Sequence, residues 1–381
     1  MDDLEPRRRI FFWQNMLSMH QSGLIEALSR SHKVTLVVDE QLGSARASLG
    51  WDVPRFDGVE VHVAPPTSRI TQMVDLSRVD DVHIVSGFRG SRSAETALRA
   101  LQKRARQNSR SPRILVALEA FNTTGSRSAP RKVAYGWFTR RYRSSISGIL
   151  AIGTLAERQY RALGVPPDKI IPWAYFLPPM AAHEPRGHDG HEVRLGFVGS
   201  LEHRKGADLL LRALAGVQKP YFLTIVGDGS IRPDLMSLTR ELGISARIQF
   251  TGVLPVQDVR KAMRSWDYLV LPSRFDGWGF VVNEALAEGC HVVVSDACGV
   301  ADVARASSAG SVSEVGSDDL SLILSGLCRV DTGGVSTTDG SEAARWARTR
   351  LSGDAGARYL MQVFRALDHS VPFPSPPWRM P

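Results

Sequence analysis

Short apolar runs alternate with helix-period segments along most of the chain. In the first half the runs are Ile10–Trp13, Val34–Val38, Val59–Val63, Val82–Val85, Ile114–Leu118 and Ile149–Ile152. Between them, Ser22–Ser29, Ala94–Arg106, Ala129–Tyr142 and Leu155–Leu163 read as helices. Strand–helix alternation predicts a mostly parallel sheet covered on both faces. The same grammar restarts with a strand at Val193–Val198, a helix at Ala207–Leu214 and a strand at Phe222–Val226. A helix at Pro233–Leu242 with proline near its start follows, then a strand at Ile248–Phe250 and a helix at Val256–Ser265. The strand Tyr268–Leu271, the helix Phe280–Glu288 and the strand Val292–Val294 complete the series.

Pro178-Pro179 and the polar stretch His183–Gly190 read as a linker between two such domains. Near the end, Thr332–Ser341 reads as a loop and Glu342–Leu367 as one helix. The proline-rich stretch 372–377 cannot be helical and is expected to be disordered or extended on the surface. The expected organisation is an N-terminal acceptor-binding domain (1–178), a C-terminal donor-binding domain (179–345), a helix (346–368) packing back toward the first domain, and a tail (369–381).

A length of 381 residues, 43% of them hydrophobic, is enough for two cores. No apolar run reaches the roughly 18 residues of a membrane-spanning helix, and the acidic start Met1-Asp2-Asp3 does not read as a secretory signal. The three cysteines, Cys290, Cys298 and Cys328, lack metal-ligand spacing and fit a reducing cytoplasm as ordinary packing residues. The histidines His183, His188 and His191 read as solvated linker residues, and no metal site is expected.

The net charge of +8 suits an anionic ligand, an acidic membrane surface or nucleic acid. Aromatic residues do not interleave with basic ones on a strand face, which argues against nucleic acid. Arg131-Lys132 and Arg140-Arg141-Tyr142-Arg143 bracket Tyr135, Trp137 and Phe138. The segment 131–143 therefore reads either as a helix at a membrane surface or as a solvated arginine-rich face.

Two loops carry the chemistry. Pro272-Ser273-Arg274-Phe275-Asp276-Gly277-Trp278-Gly279-Phe280-Val281-Val282-Asn283-Glu284 lies between a strand and a helix. It brings backbone N–H groups and a helix N-terminus to an anionic group. Asp276 and Glu284 flank the glycines, and a nucleotide sugar is the natural ligand for phosphate between acids that can meet hydroxyls at each end. Gly199-Ser200-Leu201-Glu202-His203-Arg204-Lys205-Gly206 also follows a strand and opens a helix. Cations at a helix start are unfavourable without an anion, so Lys205, and less so Arg204, reads as a phosphate-binding group.

These loops resemble the donor site of the retaining GT-B glycosyltransferases of group 1, glycosyltransferase family four. Lys205-Gly206 matches that family's lysine–glycine pair, and Asp276 and Glu284 match its two acids separated by seven residues. Val226-Gly227-Asp228-Gly229, Leu242-Gly243-Ile244, Phe250-Thr251-Gly252 and Asn283–Gly289 extend the match, which is strong over residues 193–302. The resemblance implies an α/β fold of GT-B type, two Rossmann-like domains facing each other across a cleft. It implies a nucleotide-diphosphate sugar as donor, a glycan or lipid-linked acceptor, and no cofactor or metal. Lys205 would hold the pyrophosphate, the Gly277–Phe280 backbone the distal phosphate, Asp276 the sugar hydroxyls and Glu284 the ribose. Gly252-Val253 would lie by the base, and Gly199, Ser200, Arg204 and Val281 would line the same site.

Two positions depart from the family pattern. Asp276 stands where glutamate is usual, which shortens the reach toward the sugar. Ser200 stands where arginine is frequent, with Arg204 as the candidate replacement. In the first half, Asn15, Ser18 and His20 after the first strand, and Glu119, Phe121 and Asn122 after Ile114–Leu118, are the acceptor-site candidates. Glu119 reads equally as a cap, whereas His20 reads more often as an exposed or satisfied histidine than as a catalytic one.

The competing readings are a nucleotide-sugar epimerase of GT-B fold and a non-enzymatic nucleotide-sugar or nucleic-acid binding protein. A metal-dependent transferase of the other major fold would need Asp-x-Asp, which does not occur. A dinucleotide oxidoreductase would need Gly-x-Gly-x-x-Gly, and Arg232 interrupts the nearest candidate at Gly227-Asp228-Gly229. The expected setting is bacterial polysaccharide or glycolipid assembly, in the cytoplasm or on the inner face of its membrane.

Overall fold

The computed structural model describes residues 7–43, 46, 50–107, 111–125, 128–181, 192–315, 318–327 and 340–380. Cys328, the linker histidines and nearly all of the expected loop 332–341 lie outside them. The chain divides into two compact units. Unit 1 is Met1–Gly43, Val53–Pro179 and Ser352–Met380; unit 2 is Ser44–Asp52 and Met180–Leu351, with Pro381.

Unit 1 is built on β1 (Arg9–Met16), β2 (Lys33–Glu40), β3 (Val59–Val63), β4 (Val82–Ser86), β5 (Arg113–Glu119), β6 (Gly148–Ile152) and β7 (Ile170–Trp173). They pair in parallel in the order β3-β2-β1-β4-β5-β6-β7. The central strands are buried almost throughout, which is why they read as continuous apolar runs rather than alternating ones. The helices α1 (Met19–Ser29), α2 (Thr67–Asp75), α3 (Arg92–Gln107), α4 (Ser128–Tyr142) and α5 (Gly153–Ala162) supply the connections.

Unit 2 repeats the plan with β8 (Val193–Val198), β9 (Tyr221–Val226), β10 (Ile248–Gly252), β11 (Tyr268–Leu271), β12 (His291–Ser295) and β13 (Gly310–Ser313), parallel in the order β10-β9-β8-β11-β12-β13. Its helices are α6 (Ala207–Ala215), α7 (Arg232–Glu241), α8 (Val256–Met263), α9 (Phe280–Ala287), α10 (Ala301–Ala306), α11 (Asp319–Leu327) and α12 (Gly340–Arg350). The core is formed by Leu195, Phe197, Tyr221, Leu223, Ile225, Val270 and Val293 against Leu210, Leu211 and Leu214 of α6. The chain then re-enters unit 1 with α13 (Gly353–His369), which packs on α1.

In each sheet the strand order grows outward in two directions from a central pair: β1 and β4 in unit 1, β8 and β11 in unit 2. Ligands of such sheets bind beyond the carboxyl ends of that pair. The two loops marked by sequence are the ones that follow β8 and β11.

Two expectations near the C-terminus are corrected. Glu342–Leu367 is not one helix but α12 and α13, broken at Leu351-Ser352. Ser352 is extended, and its hydroxyl accepts from the Ala355 N–H, which starts a new helix rather than continuing the old. The Leu177 carbonyl holds the break by accepting from the Gly353 N–H at 2.9 Å. The proline-rich tail is not wholly extended: Pro377–Arg379 form a 3-10 turn that buries Trp378 against Phe176 and Tyr359. Arg379 pairs with Glu157 and pins it there. Burial of one large aromatic outweighs the poor helix chemistry of the prolines around it.

The strand β7, the edge strand β13 and the helices α2, α10 and α11 escaped the sequence pattern. The β13 sequence, Gly-Ser-Val-Ser, is short and polar, and pairs along only one edge. Among the described residues, no helix is long and apolar enough to cross a membrane, and no three His, Cys, Asp or Glu side chains gather as a metal site.

Candidate active site

The loop after β8 closes with a 3-10 turn, His203–Lys205, and a left-handed Gly206 (φ 72°) that starts α6. A Cβ at Gly206 would lie 2.1 Å from the Pro272 carbonyl oxygen, so the loop after β11 presses directly on this one. Arg274 fastens the two. Its N–H donates to the Arg204 carbonyl at 2.8 Å, and its guanidinium donates to the His203 carbonyl at 2.8 Å. The same guanidinium grips both Asp208 oxygens at 2.7 Å. Burial pushes the Asp208 carboxyl up, but the bonds and charge of Arg274 outweigh it and hold the group below the usual carboxylate range.

This clamp brings together two residues 71 positions apart: the Lys205 ammonium donates to Asp276 Oδ2 at 2.5 Å. Their side chains are 14% and 13% exposed. From behind, the Asp276 N–H donates to the Ala297 carbonyl, and the Gly299 and Val300 N–H groups donate to the Asp276 and Trp278 carbonyls. Gly277, Trp278, Gly279 and Phe280 are buried, Val281 is half-buried, and left-handed Gly279 caps the start of α9. The thiol of Cys298 sits beneath the loop; burial and the Asp276 charge push it up to about 12, and burial likewise raises Cys290, so both are inert packing groups.

Glycine also lines the neighbouring strand ends. The Gly199 N–H donates to the Val226 carbonyl and the Gly227 N–H to the Gly252 carbonyl. A Cβ on Gly227 (φ 132°) would come within 2.0 Å of the Gly199 carbonyl oxygen, so these backbones approach too closely for any side chain. Ser200 is half-buried, Gly252 ends β10 and Val253 is exposed beyond it. Arg204, the candidate replacement for a family arginine, pairs with Glu202 at 2.9 Å on an exposed part of the loop.

Glu284 lies in α9, one turn past the loop. Its Oε1 accepts from Arg260 Nη2 at 3.0 Å and Nε at 3.2 Å. Burial raises the Glu284 carboxyl and the Glu288 charge adds to this, while Arg260 pulls it back without cancelling the rise. One turn further along both helices, Arg264 pairs with Glu288 at 2.7 Å. Neither Arg260 nor Arg274 was marked by sequence; the only signal was an arginine on a short helix facing an acid of known spacing, which needs the tertiary pairing to be read.

In unit 1, Glu119 ends β5 and accepts from the Tyr175 hydroxyl at 2.5 Å. The His20 ring, in the first turn of α1, lies 5.0 Å from the Tyr175 ring. Ser18 caps that helix by accepting from the His20 N–H. His20, Glu119 and the unforeseen Tyr175 thus form one cluster. Asn122 instead closes a local turn, accepting from the Thr124 N–H at 2.8 Å and hydroxyl at 2.7 Å. Phe121 is a buried packing residue stacked on Tyr135, and Asn15 is exposed at the end of β1.

Residues 181–323 match the family model of glycosyl transferases group 1. Over 121 residues the chain is 32% identical to an uncharacterised glycosyltransferase of Methanocaldococcus jannaschii, covering 31% of each protein. Over 230 residues it is 28% identical to the lipopolysaccharide core biosynthesis mannosyltransferase of Rhizobium leguminosarum, covering 57% of this chain and 64% of that one. The chain spans about a third of the length of the first curated relatives it matches. Among solved structures, Anabaena HepE in complex with UDP superposes with a TM-score of 0.67 at 16% identity, over 94% of this chain and 100% of that one. The module at 181–323 is thus that of a group 1 glycosyltransferase, and the chain belongs with these proteins in having the GT-B fold.

Proposed function

We propose that the chain is a glycosyltransferase that moves a sugar from a nucleoside-diphosphate sugar to a hydroxyl of a glycan or lipid-linked acceptor, with retention of anomeric configuration. The observation that carries this reading is the Lys205–Asp276 pair, held by Arg274 where the loops after β8 and β11 meet. An ammonium at a helix start, among glycine backbones, is matched to a diphosphate. In this reading Lys205 and the N-terminus of α9 stabilise the charge that builds on the leaving diphosphate, the usual largest contribution to such catalysis. Asp276 accepts from sugar hydroxyls and orients Lys205. Glu284 accepts from the ribose. The leaving diphosphate takes the proton of the incoming hydroxyl on the face it departs from, so the configuration is kept without a protein nucleophile. No metal enters this scheme; the lysine supplies the countercharge.

The UDP bound by the Anabaena protein makes uracil the first base to test, and the Rhizobium relative supports an acceptor in glycolipid or polysaccharide assembly. The test is thermal melting of the purified chain with UDP, GDP and a panel of their sugars, followed by transfer assays and NMR of the new linkage. A folded-state ligand at a hundred times its Kd adds about 2.7 kcal/mol of stability. A panel that leaves the melting temperature unmoved, or a product of inverted configuration, sinks the corresponding part of the reading.

The proposed acceptor also gives the exposed face of α4 a role at an anionic membrane surface. Val133 and Trp137, one turn apart, are 73% and 54% exposed. Arg141 lies over the Trp137 ring at 5.1 Å, and no acidic residue occurs between Glu119 and Glu157. An aromatic and an aliphatic group rimmed by arginine favour the headgroup layer of anionic lipid. Co-sedimentation with phosphatidylglycerol vesicles, lost in Trp137→Ala/Arg141→Ala and absent with phosphatidylcholine, is the expected result; equal sedimentation of the variant removes the assignment.

A further inference from the structure

Glu284 is offered to the ribose with an unusual support. Both Arg260 bonds land on Oε1, and among the described residues Oε2 has no hydrogen-bond donor. The side chains are 19% and 15% exposed, so neither charge is fully solvated. A half-buried carboxylate without a countercharge drifts toward its neutral form, which donates a proton and accepts poorly. An arginine that grips one oxygen from the side both offsets the lost water and fixes the direction of the other.

We propose that Arg260 is a positioning residue for nucleotide recognition: it holds Glu284 so that Oε2 is presented to the ribose hydroxyls. This rests on the donor-site reading above. Two features separate the role from a simple staple between α8 and α9. The staple is already present one turn away as Arg264–Glu288, where Glu288 is only 2% exposed. Arg260 instead sits on the turn that carries the site acid. The groups facing the Glu284 carboxyl include Arg260 from α8 and Glu288 from its own helix; burial raises Glu284, Arg260 lowers it, and Glu288 raises it further. Loss of Arg260 would leave only the two influences that favour the neutral acid. The arginine at this position and the acid of the motif therefore act as one recognition unit.

The ladder supplies its own control. Arg264→Gln removes the same kind of bond one turn from the site, whereas Arg260→Gln removes the one on it. The probes are UDP and its 2′,3′-dideoxy counterpart, measured by titration calorimetry on the full chain, with GDP and its dideoxy form in parallel. The wild-type chain is expected to prefer the ribose form of its base by at least about tenfold, because an unpaired buried acceptor penalises the analogue. In Arg260→Gln that ratio falls to within about twofold, almost wholly through weaker binding of the ribose form. Unchanged affinity for the dideoxy form shows that the variant is folded. Arg264→Gln keeps the wild-type ratio and loses only melting temperature.

Arg260→Lys reaches Glu284 with one ammonium in place of two converging N–H groups. Its ratio falls between those of wild type and Arg260→Gln, and it answers the question if the glutamine variant does not fold. A wild-type ratio in Arg260→Gln or in Arg260→Lys overturns the proposal while leaving the donor site intact. Absence of any diphosphate binding by the wild-type chain overturns the donor-site reading and this proposal with it.

Discussion

The two units share a plan and differ at the point where their strand order turns. In unit 2, the ends of β8 and β11 are lined by glycine backbone and joined by ion pairs: Gly206 against Pro272, Lys205 on Asp276, Arg274 on Asp208. In unit 1, rings pack across the central pair instead. Trp13 of β1 donates to buried His83 near the start of β4, and Phe88, just past the end of β4, stacks on Phe138 and Tyr142. Glycine and fixed charge suit one rigid anionic group, because backbone N–H groups approach it without a side chain intervening. Rings suit packing and shape, and the polar pair at the end of β5, Glu119 with Tyr175, is made of side chains. The same sheet topology thus carries glycine backbone and ion pairs at its turning point in one unit and packed rings across its central strands in the other.

The contrast can be broken most sharply at Lys205. Lys205→Ala is expected to lower turnover about 100- to 1000-fold, as the loss of a group aimed at developing charge does. The melting temperature should hold within a few degrees, since Asp276 keeps its backbone anchors. A loss of turnover of less than about tenfold would mean that the lysine is not at the reacting diphosphate.

Backbone proximity comes next. Gly227→Ala places a methyl 2.0 Å from the Gly199 carbonyl oxygen and is expected to cost about 3 kcal/mol by urea unfolding, with diphosphate binding weakened. A neutral result would show that the strand ends yield, and that unit 2 is less rigid than its glycines imply.

The buried Trp13–His83 pair of unit 1 answers to pH instead. Burial, with smaller contributions from Arg104 and Arg9, drives His83 from 6.5 down to about 3. The folded state therefore excludes a proton that the unfolded chain accepts below about 6.5, so stability is full above that value and falls as the pH drops toward 3. Between about pH 7 and about pH 5 the His83 share of that loss is about 2 kcal/mol. His83→Gln, whose carbonyl can still accept from Trp13, should show an acid slope shallower by that amount. An identical slope would remove His83 from the account.

The smallest change is expected at Glu119. Glu119→Gln keeps an acceptor for the Tyr175 hydroxyl, so it should alter stability by less than about 1 kcal/mol and leave UDP binding unchanged. Weakened UDP binding there would show that Glu119 takes part in donor recognition.

Most of the strands could be read from the chain because a strand buried on both faces needs a run of apolar residues, and β1, β4, β6, β8, β11 and β12 have one. The strand β13 could not, because an edge position tolerates Gly-Ser-Val-Ser. The break before α13 was hidden because Glu342–Leu367 keeps a helical pattern across it, and only the Leu177 carbonyl and the Ser352 cap show where the chain turns. Trp378 drew no reading beside its prolines; burial of its ring, not the local backbone preference, decides where the tail lies.

For the site, sequence alone determined the glycine loops, the lysine at a helix start and the spacing of two acids, since each is a local pattern written within one loop and its helix. Tertiary structure alone decided that Lys205 meets Asp276 across 71 positions, that Arg274 clamps Asp208, and that Arg260 stands beside Glu284. Periodicity records which face of an element is buried. It carries no record of which charge on another element will come within 3 Å, because that distance is set by how the elements pack and not by either stretch of chain.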